Sequence, residues 1–467
     1  MKDIPPLGLT GLIACIVVVA LAGGTRFGYL MTCCDGDTVP HFAVQGDGPR
    51  PDLPTGTQLR GQETPNEFDE LVQNLSKDHW FGSLAPLADL EERTAHVSPG
   101  YPWLASWAAD DDILRGAQGA LGVLTALCLF FYARLAFRSN LAGIFAGLLA
   151  ALQPFWIVNA GELADGSLTT FLLAAALLLG TLAGRTGGPL TSLVFGLSLA
   201  GLALVRATTL PFAFLALGWF LLRCRSLRLG WFAGLLALLG FGNGLAPWLV
   251  RNCQTFQRPI PVVDSAWLHV WIGVMPGATG GEVDEKVLRE SLPPERVKAL
   301  VADANQAMRY DRLSHDVMRR LQEAPGTSIS GRIVAASRFL FGEVGQKGGR
   351  FVSARVNLEE SPALTESAIE AAAAAGLILL LGLAFFGWRW SDSTSEDCRL
   401  ATLALVWLPL PYLLSHAERL SGPRLPWDVV LVAFAGFALA RCVRGQAGDE
   451  AAQQRRVLEL QQQTTLR

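Results

Sequence analysis

Carboxylates and guanidinium groups at the edges of apolar runs are the side chains of this 467-residue chain that could do chemistry together. The segment Glu63-Thr64-Pro65-Asn66-Glu67-Phe68-Asp69-Glu70-Leu71 packs four carboxylates into the start of an amphipathic stretch, with Glu67 and Glu70 on one helical face. Glu162 and Asp165 stand three apart at the head of a later apolar run, so a helix beginning there points both the same way. A carboxylate so placed can act as a general base. It can equally be a solvated helix start or, for Asp165, an N-cap. The basic partners are Arg206, Arg251, Arg419 and Arg424, with His416 nearby. A planar guanidinium matches phosphate oxygens, and it can also reach up to lipid headgroups from below. Two aromatic-proline segments, His96-Val97-Ser98-Pro99-Gly100-Tyr101-Pro102-Trp103 and Ala246-Pro247-Trp248-Leu249-Val250-Arg251-Asn252, mark boundaries of apolar runs. Trp and Tyr at such boundaries serve as interfacial anchors or line a substrate site.

The elements that must position these groups are membrane helices. Hydrophobic residues make up 51% and charged residues 17% of the chain, and the mean hydropathy is +0.33. Apolar runs of roughly 18 or more residues cross a bilayer as helices, which satisfy every backbone polar group internally. Ten spans are expected, near 7–24, 113–133, 141–158, 167–182, 190–204, 210–222, 230–250, 369–388, 400–414 and 427–440. The first reads as a retained anchor, because only Lys2 precedes it and no clear small-residue cleavage site follows.

Charge orients these spans. Arg134, Arg138, Arg185, Arg223, Arg225, Arg228, Arg389, Arg399, Arg441 and Arg444 fall in one set of short connections, which the positive-inside rule assigns to the cytoplasm. The long polar regions 26–112 and 251–365, and the connections 162–165, 206–209 and 415–426, then face outward. The chain divides into a membrane module at 1–250 that includes the first outer loop, an outer segment at 251–365, C-terminal membrane helices at 366–445 and a cytoplasmic tail at 446–467. Within the outer segment, Pro293-Pro294 is a helix-start signal. Val297, Leu300, Val301, Ala304, Met308, Leu313, Val317, Met318 and Leu321 then recur at helical spacing up to Pro325. That face packs on the membrane domain or lies at the interface.

The net charge of -3 is small and says nothing about a nucleic-acid partner, and no basic cluster interleaved with aromatics appears, so none is expected. The eight cysteines make no metal-ligand spacing, and all of them read as incidental. A disulfide from Cys33 or Cys34 to Cys253 stays open if that side is oxidising.

The order of these elements resembles the GT-C glycosyltransferases that use polyprenyl-phosphate sugars, the group containing protein O-mannosyltransferases and lipid A aminoarabinose transferases. Glu63 to Leu71 is similar to the family's first-loop acidic motif, and Ser98-Pro99-Gly100-Tyr101-Pro102 to its Pro-Pro-x-Tyr-Pro element. Glu162-Leu163-Ala164-Asp165 resembles the second acidic motif, and Leu202-Ala203-Leu204-Val205-Arg206 a span ending in an outer Arg. Ala246 to Asn252 is similar to a Pro-Trp-x-x-Arg-Asn element, and His416-Ala417-Glu418-Arg419 with Pro426 to the final loop. The chain departs from the pattern in carrying Glu63 and Glu67 where an Asp is usual, and Leu420 after Arg419 where a Tyr is usual.

The resemblance implies an all-α polytopic fold of about ten helices with outer loop helices. It implies an inverting transfer of a sugar from a polyprenyl-phosphate donor to the hydroxyl of a lipid, glycan or protein acceptor, at the outer face of a bacterial plasma membrane. Glu63 or Glu67 would be the base, Asp165 its partner, and Arg206 and Arg251 would hold the phosphate. Asp69, Glu70, Tyr101, Glu162, His416 and Arg419 would complete the substrate site. The transferases most similar to it need neither metal nor cofactor, and membrane lipids are the other partner. The alternatives are a polytopic transporter, whose paired repeats and mid-membrane charges are not evident, and a non-catalytic lipid-binding relative.

Overall fold

The computed structural model describes residues 7–33, 71–72, 74–75, 82–84, 91–108, 110–225, 230–274, 306–323, 325–347, 362–391, 396–415 and 422–444. In order, the helices are α1 (Gly8–Cys33), α2 (Gly100–Ala105), α3 (Asp111–Ala136), α4 (Asn140–Leu152), α5 (Pro154–Asn159), α6 (Gly166–Thr186) and α7 (Pro189–Val205). They continue with α8 (Leu210–Cys224), α9 (Gly230–Phe256), α10 (Ala266–Val274), α11 (Gln306–Glu323), α12 (Pro325–Lys347), α13 (Pro362–Trp390), α14 (Glu396–Trp407), α15 (Leu410–Leu414) and α16 (Leu425–Arg444). A small antiparallel hairpin, β1 (Gly82–Leu84) with β2 (Glu91–Arg93), pairs Gly82 with Arg93 and Leu84 with Glu91 between α1 and α2.

Eight apolar helices are long enough to cross a membrane, and two shorter apolar ones, α4 and α7, bring the number among the described residues to the ten expected. The chain is an all-α polytopic membrane protein. Local sequence accounts for many helix ends. Asp110 caps α3 by accepting the Ile113 N–H at 2.8 Å, with Asp111 and Asp112 behind it in the first turn. Ser139 caps α4 through the Ala142 N–H at 3.2 Å. α6 ends where Gly187 turns to φ 63°, and Pro189 then starts α7.

Three spans differ from their expected form. α1 runs nine residues past Gly24, so Arg26 lies inside the helix rather than in the outer loop, and its side chain is buried. The span expected at 141–158 is two helices, α4 and α5, because Pro154 cannot continue the ladder and Gln153 leaves helical geometry at ψ 110°. The span at 400–414 is likewise broken, into α14 and α15, at Pro409. In the outer segment, α11 carries the expected stripe only in part. Leu313 and Val317 are buried, whereas Met318 and Leu321 are exposed. Residues 275–305, with the start signal at Pro293-Pro294, lie outside the described residues. α12, after Pro325, has no counterpart in the sequence reading.

The backbones of α7 and α9 approach closely. A Cβ on Gly196 would strike the Ala237 carbonyl, and one on Gly240 would strike the Leu193 carbonyl, so glycine is what lets the two backbones meet. Lipid gives no hydrophobic drive for helices to associate, so such close packing supplies it. At the arginine-rich end of the bundle, Arg185 joins elements by donating to the Leu135 carbonyl and to Asp397, each at 2.7 Å. Arg223 donates to the Gly184 carbonyl at 3.1 Å. The end of the bundle carrying the longer polar segments holds the residues considered next.

Candidate functional site

The site begins with the break in the third membrane crossing, between α4 and α5. Pro154 has no N–H to return to the Ala150 carbonyl, and the last carbonyls of α4 lack helical partners. Unsatisfied carbonyls are costly where water is scarce, so a neighbour must supply donors. Arg26 does so, with Nη2 on the Ala150 oxygen at 3.0 Å and Nη1 on the Ala151 oxygen at 3.1 Å. The Thr25 hydroxyl adds a bond to the Ala151 oxygen at 3.0 Å. Gly122 leaves the room that the guanidinium occupies. The α4 end is thereby held open, and α5 and the turn 160–165 are aimed at the head of α6.

At that head Asp165 occupies the N-cap position, yet its side chain makes no capping bond. It faces Arg206 instead. Arg206 Nε donates to Asp165 Oδ2 at 2.7 Å and Nη2 donates to Oδ1, a bidentate pair whose side chains are 6% and 5% exposed. The Thr169 hydroxyl adds a bond to Oδ2 at 3.3 Å. Arg206 Nη1 donates to the Gly422 carbonyl at 3.1 Å and reaches the Tyr412 hydroxyl at 3.4 Å. Thr208 and Tyr412 share a hydroxyl contact at 2.9 Å. Asp165 and Arg206 therefore neutralise each other and tie α6 and α7 to the approach to α16.

Glu162 belongs to a different network, so the two carboxylates do not act as the pair their spacing implied. The reason is local: 160–165 is a turn, not the first turn of α6. Glu162 Oε2 accepts the Asn159 amide at 2.6 Å, and Asn159 Oδ1 accepts the Ser167 hydroxyl at 3.2 Å. Gln118 braces the turn from α3, donating to the Ala160 oxygen at 3.2 Å and to the Glu162 backbone oxygen at 2.6 Å. Tyr101, buried, donates to Gln118 Oε1 at 3.2 Å. It supports the turn rather than lining an open surface. Arg115 donates from Nε to the Gly161 oxygen at 3.2 Å and pairs with the exposed Asp112 at 3.2 Å. Glu162 itself is half-buried.

The head of α16 packs against the same turn. Trp156 Nε1 donates to the Leu425 oxygen at 3.2 Å, and Gly166 leaves space for both Asn159 and Leu425. Arg424 and Asp428 are fully buried, with Nε and Oδ1 3.6 Å apart. Gln153 donates to Asp428 Oδ2 at 3.2 Å, and Arg424 lies 4.6 Å over the Phe155 ring.

Arg251 sits in a separate cluster. It donates from Nη1 to the Thr94 carbonyl and to Asn252 Oδ1, both at 2.8 Å, and stacks 4.7 Å over Trp248. Trp248 Nε1 donates to the Val262 oxygen at 2.7 Å, and Asn252 to the Ile260 oxygen at 2.9 Å. Ser265 donates to the His96 oxygen at 2.8 Å. The two aromatic-proline segments thus fasten the chain before α2 to the chain after α9. Cys253 is a free thiol.

Of the expected site residues, Asp165 and Arg206 come together, Glu162 and Tyr101 share the neighbouring network, and Arg251 stands apart. Glu63, Glu67, Asp69, Glu70, His416 and Arg419 lie outside the described residues. Asn159, Gln118, Gln153 and Asp428 were missed. Their signal was an amide or a carboxylate within an apolar run, which is costly in a membrane unless partnered. Among the described residues no three His, Cys, Asp or Glu side chains gather as metal ligands would. No family model matches the chain. No curated protein matches it either.

Proposed function

We propose that the chain is a glycosyltransferase that moves a sugar from a polyprenyl-phosphate donor to an acceptor hydroxyl at the extracytoplasmic face of a bacterial plasma membrane. The observation that carries this reading is Glu162, a half-buried residue whose carboxylate accepts from Asn159 of α5 and whose backbone oxygen accepts from Gln118 of α3, at the end of the bundle opposite the basic connections. That end is the outer one by the positive-inside rule. In the reaction the acceptor oxygen bonds to the anomeric carbon, the bond from that carbon to phosphate oxygen breaks, and the lipid phosphate leaves. The acceptor proton passes to the carboxylate. Glu162 takes the role of base, since Asp165 has both oxygens on Arg206. Arg115 is the guanidinium suited to the leaving phosphate. Its ion pair is to Asp112, whose side chain is 78% exposed and so can give way to a phosphate, while Arg115 itself, 13% exposed, stays held by its bond to the Gly161 oxygen. Asp165, Arg206 and Tyr101 act as positioning residues.

The test uses purified protein in proteoliposomes with labelled polyprenyl-phosphate sugars and lipid, glycan and peptide acceptors. Sugar transfer by the native chain is expected, with Glu162→Gln lowering kcat by about 10²–10⁴-fold. Glu63→Gln and Glu67→Gln are measured beside it as rival bases. Full turnover in Glu162→Gln would move the role elsewhere. No transfer from any donor would end the transferase reading. The mutual locking of Asp165 and Arg206 favours a second reading, a non-catalytic lipid-binding relative, for which lipid phosphate binds without turnover.

A further inference from the structure

The helix α12 has two faces of different character. One is packed: Ala335 and Phe339 are buried, and Phe339 stacks on Tyr412 at 5.5 Å and meets Trp427 at 5.6 Å. The other is apolar and open. Ile329 and Ile333 are 64% and 68% exposed, and Val334 and Phe341 are exposed beside them. Four large apolar side chains along one helical face would be an anomaly in water, where a patch of that kind marks a binding surface.

The position of α12 says what covers that face. Arg332, on its packed side, donates to the Leu413 oxygen at 3.2 Å, to the Ser415 oxygen at 2.6 Å and to the Gly273 oxygen. The Leu413 and Ser415 carbonyls close α15, the end of a membrane crossing, and the Gly273 carbonyl lies in the last turn of α10. α12 is therefore held where a membrane helix runs out. Leu414, whose carbonyl Arg332 also meets, is 62% exposed, and Val406 and Trp407 earlier in the same apolar crossing are exposed too.

We propose that α12 lies in the plane of the membrane, with Ile329, Ile333, Val334 and Phe341 inserted among the lipid chains of the adjacent leaflet. An amphipathic helix at an interface buries its apolar face in this way, and the small Ser330 and Ser337 between these residues let the backbone approach headgroup depth. The inference is independent of the transferase reading.

The experiment places single spin labels on the full chain in lipid nanodiscs, after replacing the eight native cysteines by serine or alanine. Labels at 329, 333 and 341 are compared with one at the exposed Gln322 of α11. Collision with oxygen exceeding collision with a water-soluble nickel chelate at the three α12 positions, and the reverse at Gln322, is the expected result. Chelate dominating at all four positions would overturn the proposal in favour of a water-facing helix. Should the cysteine-free chain not fold, benzoylphenylalanine at 329 or 333 in the native chain gives the second reading. Photoproducts with lipid support the proposal, and photoproducts with a second copy or another protein overturn it.

Discussion

Replacing Arg206 by methionine leaves the Asp165 carboxylate in a nearly dry site where, among the described residues, the Thr169 hydroxyl alone meets it. Removing one partner of a buried ion pair costs about 3–5 kcal/mol, because the surviving charge is neither solvated nor neutralised. The same substitution takes the donor from the Gly422 carbonyl, so the upper part of that range is expected. Removing both charges is different. The Asp165→Leu/Arg206→Met double variant loses the pair's attraction and its desolvation cost together, and should lie closer to the native protein than Arg206→Met alone. Equilibrium unfolding in mixed micelles, followed by the fluorescence of the thirteen tryptophans, measures all four corners of this cycle. A coupling of about 2–3 kcal/mol is expected. A loss below about 1 kcal/mol for Arg206→Met, the worth of an exposed pair, would refute the picture of a buried pair holding α6, α7 and the head of α16 together.

Arg26→Met strands the Ala150 carbonyl and leaves the Ala151 carbonyl with the Thr25 hydroxyl, and should cost about 3 kcal/mol, from two lost bonds to a charged donor. Adding Pro154→Ala supplies the missing N–H to Ala150, so the double variant should recover about 1 kcal/mol in the same unfolding assay; equal or lower stability would contradict the account of the break. Gly240→Leu should abolish monodisperse elution in fluorescence-detected size exclusion, because its side chain meets the Leu193 carbonyl, while Gly242→Leu on the same helix, with open space around it, should elute as the native chain does. Matching behaviour of the two would show that the α7–α9 approach is not set by glycine.

What was legible in the sequence was whatever is encoded locally. The ten apolar helices follow from runs long enough to cross lipid, and several of their ends follow from Asp110, Ser139, Gly187 and Pro189, each acting on its own turn. That polar groups sit at span boundaries was also visible, as Glu162, Asp165 and Arg206 do. The partners were not. Arg206 was available to phosphate on sequence grounds, and the fold gives it to Asp165, forty-one positions away. Arg251 was read in the same way and holds the Thr94 carbonyl. Arg26 was placed in a loop, and it completes a helix broken at Pro154. These outcomes share a cause. A guanidinium carries five donors, and buried backbone carbonyls left by a break or a helix end must be met by whichever donor is nearest in space. Sequence spacing supplies the donors and the breaks, but only the packing of distant helices decides which arginine answers which carbonyl, and so leaves Glu162 as the half-buried carboxylate beside a pair that has neutralised itself.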